Sequence, residues 1–192
     1  MNDLDEQVLS FWFGTPADPW FGKPRPEWFR KNAAFDDEIR TRFGALHETV
    51  ASGAYEQWLL SPRGALAYVI VLDQFSRNLF RADRRAFAQD AAARRAAGQA
   101  VERGLDAKVS PIERGFFYLP FMHSENLADQ DRSVRLHEVL AQGDSSNSNL
   151  DYAHKHRAII ARFGRFPHRN AFLGRESTPG EIAFMAEPGS GF

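Results

Sequence analysis

The sequence predicts an all-α fold built as stacked antiparallel helix hairpins, and three observations predict it. Apolar residues recur at intervals of three and four along most of the chain. No run of alternating apolar and polar residues is long enough for a strand. Three of the predicted helices begin with Ser-Pro or Thr-Pro, the pattern of an N-cap followed by proline at the first helical position. The length of 192 residues suits a single helical domain over residues 1–192.

The first half of the chain is predicted to hold three helices. The first, Leu4–Gly14, ends on a glycine C-cap. After a proline-rich loop, Asn32 is the predicted N-cap of a helix whose apolar face runs through Phe35–Val50. The third helix, Pro62–Phe80, is apolar nearly all round, so we expect it at the centre of the fold.

The second half continues the helical pattern. An alanine-rich helix is expected over Ala86–Arg103. Two further starts, Ser110–Glu113 and Thr178–Glu181, have the sequence of a capping box. Leu150–Phe163 forms another amphipathic helix, which ends at Gly164. Residues 143–149 and 187–192 are predicted as a loop and a non-helical end.

Composition excludes several classes of function. A formal net charge of −1 provides no overall field that would attract nucleic acid or an anionic membrane. The absence of cysteine excludes disulfides, thiolate metal sites and cysteine nucleophiles. The acidic start has no secretory signal, and charges interrupt every apolar run, so no membrane span is predicted. We therefore expect a cytoplasmic protein.

Three short polar strings interrupt the apolar helices. They are Leu72–Asn78, His123–Asn126 and Phe163–Asn170. Each places ionisable groups among residues that are expected to pack against a core. Burying charge is costly unless the charge is paired or used. The strings therefore mark either a structural polar network or a binding site.

The first string has two interpretations. Asp73, Arg77 and Arg81 follow at intervals of four and are expected to share a helix face. In one interpretation, an Asp73–Arg77 ion pair ties this helix to its neighbours. In the other, Arg77 and Arg81 point into a cleft and Asp73 holds Arg77 in place.

The second string follows Pro120, which is expected to kink or end its helix and so to place His123 and Glu125 at a helix end or turn. Such positions often face a cleft. His123 and Glu125 could then form a His-x-Glu pair with a role in acid–base chemistry. Alternatively, His123 bonds a backbone carbonyl and Glu125 has a first-turn or capping role.

The third string follows the helix that carries His156 on its apolar face. That histidine is either a satisfied core residue or a ligand. Beyond the helix, four polar residues cluster around a proline. Arginine offers a rigid fork of donors for carboxylate or phosphate, and asparagine offers both a donor and an acceptor. The residues of this cluster are Arg165, His168, Arg169 and Asn170.

Together the strings supply two sets of candidate residues. The predicted ligand-binding residues are Arg77, Asn78, Arg81, Arg165, His168, Arg169 and Asn170. The candidate acid–base residues are His123, Glu125, His156 and Asp73. The sequence lacks an HExxH motif and any histidine pair at the spacing of a helical zinc site. No metal site and no cofactor are therefore predicted.

The polar strings, together with Phe11–Gly14 and Leu173–Thr178, resemble domain-of-unknown-function family 924, which is mainly bacterial. The resemblance covers about residues 8–185. It implies a tetratricopeptide-like, compact all-helical superhelix. It also implies that the three strings converge, because the family signature lies in these polar residues. It implies no reaction, cofactor or substrate.

Three hypotheses of function stay open. In the first, an Arg/His-lined pocket binds a small anion or a peptide carboxylate. The second is a hydrolase-type enzyme that uses a histidine with an Asp or Glu partner. The third is a structural or protein-interaction scaffold without a small-molecule site. Partners are expected to exclude nucleic acid and membranes, and a homodimer through the aromatic loop Trp20–Phe29 is left open.

Overall fold

The computed structural model describes residues 3–143 and 149–188, and within these ranges the chain consists of helices, turns and loops without a strand. The predicted all-α fold is confirmed. The tetratricopeptide-like stacking of its hairpins stays a prediction. Part of the predicted loop, residues 144–148, and residues 189–192 of the predicted end lie outside the described residues.

The α-helices follow the predicted order. They are α1 Leu4–Phe13, α2 Ala33–Ala51, α3 Pro62–Ile70, α4 Ser76–Leu79, α5 Asp90–Glu102, α6 Pro111–Met122, α7 Leu127–Gly143, α8 Leu150–Phe163, α9 Asn170–Leu173 and α10 Pro179–Met185. Short 3₁₀ segments lie between several of them, including Arg84–Phe87 before α5 and Pro167–Arg169 before α9. No helix within the described ranges has the length and apolar character needed to cross a membrane.

Predicted caps define several helix ends. The Asn32 side chain accepts a hydrogen bond from the Phe35 amide at 3.2 Å, and Ser61 Oγ accepts one from the Gly64 amide at 3.1 Å. At Thr178, the backbone amide donates to Glu181 at 2.8 Å, as the predicted capping box requires. These local bonds explain why sequence alone located the starts of the helices.

A π-helical turn, Val71–Phe75, joins α3 and α4 into one continuous helix. Every residue of this turn is buried, so the predicted central position of the helix is confirmed. Ser76 Oγ donates to the Leu72 carbonyl at 2.6 Å, and Arg77 Nη1 donates to the Asp73 carbonyl at 2.9 Å. Single π turns inside α-helices are frequent at functional sites.

The core beside this helix is largely aromatic. The Trp12 ring lies 5.7 Å from that of Phe75 and 5.9 Å from that of Phe116, edge to face in both cases. Trp28, from the proline-rich loop, is also buried and donates through its indole N–H to the Trp12 carbonyl at 3.0 Å. The loop also exposes aromatic rings, at Trp20, Phe21 and Phe29. The predicted homodimer through this loop stays a prediction.

Two helix limits bear on the site. α5 begins at Asp90 rather than at Ala86, because the residues before it form a 3₁₀ segment. α6 continues through Pro120 and ends two residues later, at Met122, with His123 as its C-cap. The predicted position of His123 at a helix end is therefore confirmed.

Candidate functional site

The three polar strings converge, as the family resemblance implied. Asp73 lies in the π turn and accepts from His123 Nδ1, at the end of α6, over 2.7 Å. Glu125, in the turn after α6, accepts from the Phe166 amide at 2.8 Å. Arg169 of the third string, in the 3₁₀ segment between α8 and α9, donates to Asp90 of α5, which also contacts Arg77 of the first string. We call these residues and their neighbours the Asp73 cluster.

Asp73 is a fully buried, ionised carboxylate. Gln74 Nε2 donates to its Oδ2 at 2.6 Å, and Arg77 Nη1 lies 3.2 Å from its Oδ1. Burial opposes ionisation, but the positive charge of Arg77 and the hydrogen bonds from His123 and Gln74 outweigh it. The pKa of Asp73 is therefore well below its usual range. The predicted Asp73–Arg77 pair exists.

His123 is held as a neutral imidazole beside this carboxylate. Burial and the Arg77 charge lower its pKa, against the opposing effect of Asp73. Because Asp73 is ionised, we assign the imidazole proton to Nδ1, which leaves Nε2 as an acceptor. No described residue forms a hydrogen bond with Nε2, and 16% of the side chain is exposed. The alternative in which His123 bonds a backbone carbonyl is wrong.

Asp90, the first residue of α5, lies between two arginines of different strings. Its Oδ1 is 3.0 Å from Arg77 Nη1, and its Oδ2 accepts from Arg169 Nη1 at 3.3 Å. Sequence reasoning missed Asp90. The available signal was that it is the first carboxylate in the alanine-rich segment, at the end where a helix favours negative charge.

Arg169 is buried between two aromatic rings. Its guanidinium carbon lies 4.6 Å from the Phe87 ring centre and 4.5 Å from that of Phe166. Burial and the nearby Arg77 charge lower the pKa of Arg169 to about 10, so it remains a cation at neutral pH. The rings and Asp90 fix the orientation of this guanidinium.

Both arginines keep a buried donor without a partner. Arg77 Nη2 and Arg169 Nε are buried, and no described residue accepts a hydrogen bond from either. A buried donor that loses its hydrogen bond to water and gains no other costs about 1–3 kcal/mol, more when it is charged. The two donors belong to side chains that already share Asp90. Asp90 Oδ1, which lies 3.0 Å from Arg77 Nη1, is likewise buried without a hydrogen bond from a described residue.

Two further histidines complete the cluster. The His156 ring centre is 6.4 Å from that of His123 and 5.5 Å from that of Phe166, which in turn is 5.6 Å from His168. Burial lowers the pKa of His156 to about 3 and that of His168 to about 4, and the positive charge of Arg169 lowers both pKa values further. Both rings are therefore neutral at pH 7. His156 Nδ1 bonds the Tyr152 carbonyl at 2.8 Å, as a satisfied core histidine does.

Glu125 anchors the third string at the rim of the cluster. Arg175 pairs with it through two bonds, of 2.6 and 2.9 Å, in addition to the Phe166 amide. Burial raises the pKa of Glu125, but Arg175 and the amide lower it further, so the carboxylate is ionised. The alternative of a first-turn or capping role for Glu125 is wrong.

Asn78 and Arg81 lie elsewhere, around Asp36 of α2. Asn78 Nδ2 donates to Asp36 Oδ1 at 2.7 Å, and Arg81 Nη2 donates to the same oxygen at 2.9 Å, with a further bond from Arg81 Nε to Oδ2. The expectation that Arg81 shares a face with Asp73 is wrong. The π turn changes the angular phase of the helix, and the helix ends at Leu79 before Arg81.

Arg165 and Asn170 form a third cluster on Glu181 of α10. Arg165 Nη2 donates to Glu181 Oε2 at 2.8 Å, and its Nε donates to Oε1 at 2.6 Å. Asn170 Nδ2 reaches Ser177 Oγ at 3.0 Å and Glu181 Oε2 at 3.4 Å. The structure therefore places these two predicted ligand-binding residues on a carboxylate rather than beside Asp73.

A serine–histidine pair on the same central helix is structural. Ser76 Oγ donates its only proton to the Leu72 carbonyl, so it must accept from His47 Nε2 over 2.8 Å. Both side chains are buried. A serine that accepts from the histidine is not activated by it, so this pair is not a nucleophile with its base.

Two other features of the described residues bear on the site. No three of their His, Asp or Glu side chains are placed to hold a metal ion. A surface groove of about 260 Å³ lies along α5, α6 and α7, and none of the predicted site residues lines it. It is lined by Arg94, Arg95, Gly98, Gln99, Glu102, Phe121, Asp129 and Arg132.

Comparison with known proteins places the chain in a family. Residues 8–189 match the profile of a family described as bacterial protein of unknown function (DUF924). The solved structure of a protein of unknown function from Agrobacterium tumefaciens is similar, with 40% sequence identity and a TM-score of 0.83. The similarity covers 95% of this chain and 97% of that one. No curated protein matches. The chain belongs to the DUF924 family of bacterial proteins of unknown function.

Proposed function

We propose that the Asp73 cluster binds a small anion or a peptide carboxylate through Arg77 and Arg169. The observation that carries the proposal is the pair of buried donors, Arg77 Nη2 and Arg169 Nε, which no described residue satisfies. A guanidinium fork is suited to carboxylate oxygens, and charge-assisted bonds of this kind are about twice as strong as neutral ones. An anion would supply the acceptors that both side chains lack.

The setting of the two arginines supports this role. The rings of Phe87 and Phe166 hold the Arg169 guanidinium in one plane, so little side-chain freedom is lost on binding. Solvent reaches the other side of the site, because 20% of the Arg77 side chain and 19% of the Asp90 side chain are exposed. A ligand could therefore approach from this rim.

The test is thermal unfolding with acetate, benzoate, sulfate and phosphate. A ligand at 100 times its dissociation constant stabilises the folded state by about 2.7 kcal/mol, which raises the melting temperature by roughly 5 °C or more. Arg169→Met should abolish this rise while preserving the fold. Arg81→Met is the matched control, because Arg81 is also an arginine paired with an aspartate. It should keep the full rise.

Two results would contradict the proposal. One is that none of the four anions raises the melting temperature of the native chain. The other is an equal rise in the native chain and in Arg169→Met. Either result, together with a large loss of stability in variants of the Asp73 cluster, would favour the scaffold hypothesis.

A second candidate function, a hydrolase-type enzyme, is supported by one observation, the His123–Asp73 pair at 2.7 Å. A carboxylate that orients a neutral histidine is the arrangement of a general base. The neighbouring Ser124 is not its nucleophile, because Ser124 Oγ donates to Asp129 at 2.7 Å. His123 would therefore have to activate water.

The hydrolase hypothesis predicts slow hydrolysis of p-nitrophenyl acetate that His123→Gln abolishes. Exposed histidines also react with such esters, so His154→Gln is the control. Equal rates in the native chain and in His123→Gln would exclude His123 as a general base for this substrate.

A further inference from the structure

We infer that the Asp73 cluster selects a monocarboxylate over a dianion such as sulfate or phosphate, and that it takes up one proton with the ligand, on His123. This inference rests on the proposed anion-binding function and deepens it. It follows from the balance of charges around the buried donors.

The charges of the Asp73 cluster cancel. Asp73 and Asp90 oppose Arg77 and Arg169, and their contacts join them into one group. At the rim, Glu125 and Arg175 form a second balanced pair. The three histidines are neutral at pH 7.

Each added negative charge would leave this largely buried site with a net negative charge. A monocarboxylate adds one negative charge, and a dianion adds two. Uncompensated charge in such surroundings is costly, and titratable groups change protonation to avoid it. One bound monoanion and one added proton restore neutrality, whereas a dianion would need two protons.

His123 is the group best placed to receive that proton. Its Nδ1 already contacts the Asp73 carboxylate, which stabilises an imidazolium, and part of its ring is open to solvent. The charged and titratable groups that act on it come from every element around it: Asp73 and Arg77 from the central helix, Asp90 from α5, His156 from α8 and His168 from the 3₁₀ segment before α9. Burial and Arg77 keep the pKa of His123 low.

A ligand bound to Arg77 would weaken the effect by which Arg77 keeps the pKa of His123 low. An anion that accepts from Arg77 Nη2 offsets the guanidinium charge, so the pKa of His123 rises when the site is occupied. His156 and His168 are less suitable acceptors. Their pKa values, about 3 and about 4, place protonation far below neutral pH.

Proton uptake makes affinity depend on pH. Where His123 is neutral in the free protein and protonated in the complex, the dissociation constant rises about tenfold for each unit of increasing pH. Benzoate should therefore bind about tenfold more weakly at pH 8 than at pH 7. Sulfate should bind at least about tenfold more weakly than benzoate at either pH, because a second proton has no comparable acceptor.

The experiment is isothermal titration calorimetry of the full chain with benzoate and with sulfate at pH 6, 7 and 8. Repeating each titration in two buffers of different ionisation enthalpy counts the protons taken up. We expect about one proton per benzoate. His123→Gln, whose amide can still donate to Asp73, should bind benzoate without the pH dependence. His154→Gln, on the exposed face of α8, should keep it.

A second measurement needs no variant. Titration of the His123 imidazole resonances in the native chain, with and without benzoate, should show a pKa that rises on binding.

The possible outcomes distinguish failure of this inference from failure of the proposed anion binding. Benzoate binding that does not change with pH, or sulfate binding of equal strength, overturns the inference and leaves anion binding standing. A pH dependence retained in His123→Gln, with unchanged His123 resonances, overturns the assignment to His123. If neither anion binds at any pH, the proposed function fails with it.

Discussion

Two buried aspartates pair with arginines in or just after the central helix, Asp73 with Arg77 and Asp36 with Arg81, and they differ in what surrounds them. Asp36 accepts from Asn78 and Arg81, and both partners direct their donors to it. Asp73 has three partners and still leaves a neighbouring arginine with a buried donor unused. Buried charge alone is therefore a poor sign of a site. The buried arginine donors that no described residue satisfies distinguish the Asp73 cluster from the ion pair at Asp36.

The π turn accounts for this difference. Asp73 lies within it, whereas Asn78 and Arg81 follow it and face α2. One polar string thus serves two clusters on different sides of the helix. A regular α-helix would have kept Asp73 and Arg81 near one face.

The largest difference in stability between the two clusters should come from replacing each aspartate with asparagine. Asp73→Asn removes the carboxylate that His123 contacts and one of the two that Arg77 contacts, and we expect a loss of about 3–5 kcal/mol in the free energy of unfolding. Asp36→Asn should lose less, about 1–3 kcal/mol, because 34% of the Arg81 side chain is exposed and water can solvate it. Urea denaturation of both variants measures the difference. Equal losses would show that the surroundings of the two carboxylates do not differ energetically.

Acid should weaken the Asp73 cluster through its buried histidines. The folded-state pKa of His156 is about 3, against an ordinary value of 6.5. Between pH 6.5 and pH 4 the unfolded chain binds a proton that the folded state excludes, so stability falls as pH falls. The contribution is up to about 1.4 kcal/mol per pH unit.

His156→Gln tests this effect through urea denaturation at several pH values. The slope of unfolding free energy against pH should decrease by that amount, while His154→Gln, at an exposed position, should keep the native slope. An unchanged slope in His156→Gln would mean that its ring is protonated in the folded state.

Helix starts were predictable because their signals are local. Asn32, Ser61 and Thr178 each bond an amide three residues away, so the sequence contains the whole interaction. The central position of Pro62–Phe80 followed from apolar residues on nearly every face. Both features depend on neighbours in the chain.

The site was predictable only in part, because its contacts are not local. Spacing identified Asp73 with Arg77, and the family resemblance implied that the strings converge. Neither could reveal that Asp90 bridges Arg77 to Arg169, which is 79 residues away from Asp90 in sequence. The π turn was equally hidden, since its residues fit an α-helical pattern as well. Its position depends on side-chain packing in the folded core.

We expect replacement of the buried Arg169 to cost less stability than replacement of the partly exposed Arg81. Burial of charge alone would predict the opposite order. Arg169→Met should change stability by less than about 0.5 kcal/mol, because removal of the unsatisfied Nε offsets the loss of the ion pair with Asp90. Methionine fills the space between Phe87 and Phe166, and Asp90 keeps its contact with Arg77. Arg81→Met should lose about 1–2 kcal/mol, because Asp36 would retain only Asn78. Thermal and urea unfolding compare the two.

A loss in Arg169→Met as large as that in Arg81→Met would contradict this comparison. It would mean that the Arg169 guanidinium contributes to stability as a structural ion pair, despite its unsatisfied Nε. Arg169→Met would then no longer test anion binding without a change in stability. Titration of the His123 imidazole resonances would be needed to distinguish a binding site from a structural network.

The last comparison concerns the groove along α5, a charged surface whose lining residues have no buried unsatisfied donors of the kind found at Arg77 and Arg169. Gly98 lies inside α5, and a Cβ there would meet only Arg132 Nη1, at 3.7 Å, which is ordinary contact. Gly98→Ala should therefore raise the free energy of unfolding by about 0.5–1 kcal/mol. It should leave benzoate binding unchanged if the anion site is at Arg77 and Arg169. A weakened benzoate affinity in Gly98→Ala would place the anion in the groove. The arginines that line the groove, rather than the buried donors of Arg77 and Arg169, would then define the site.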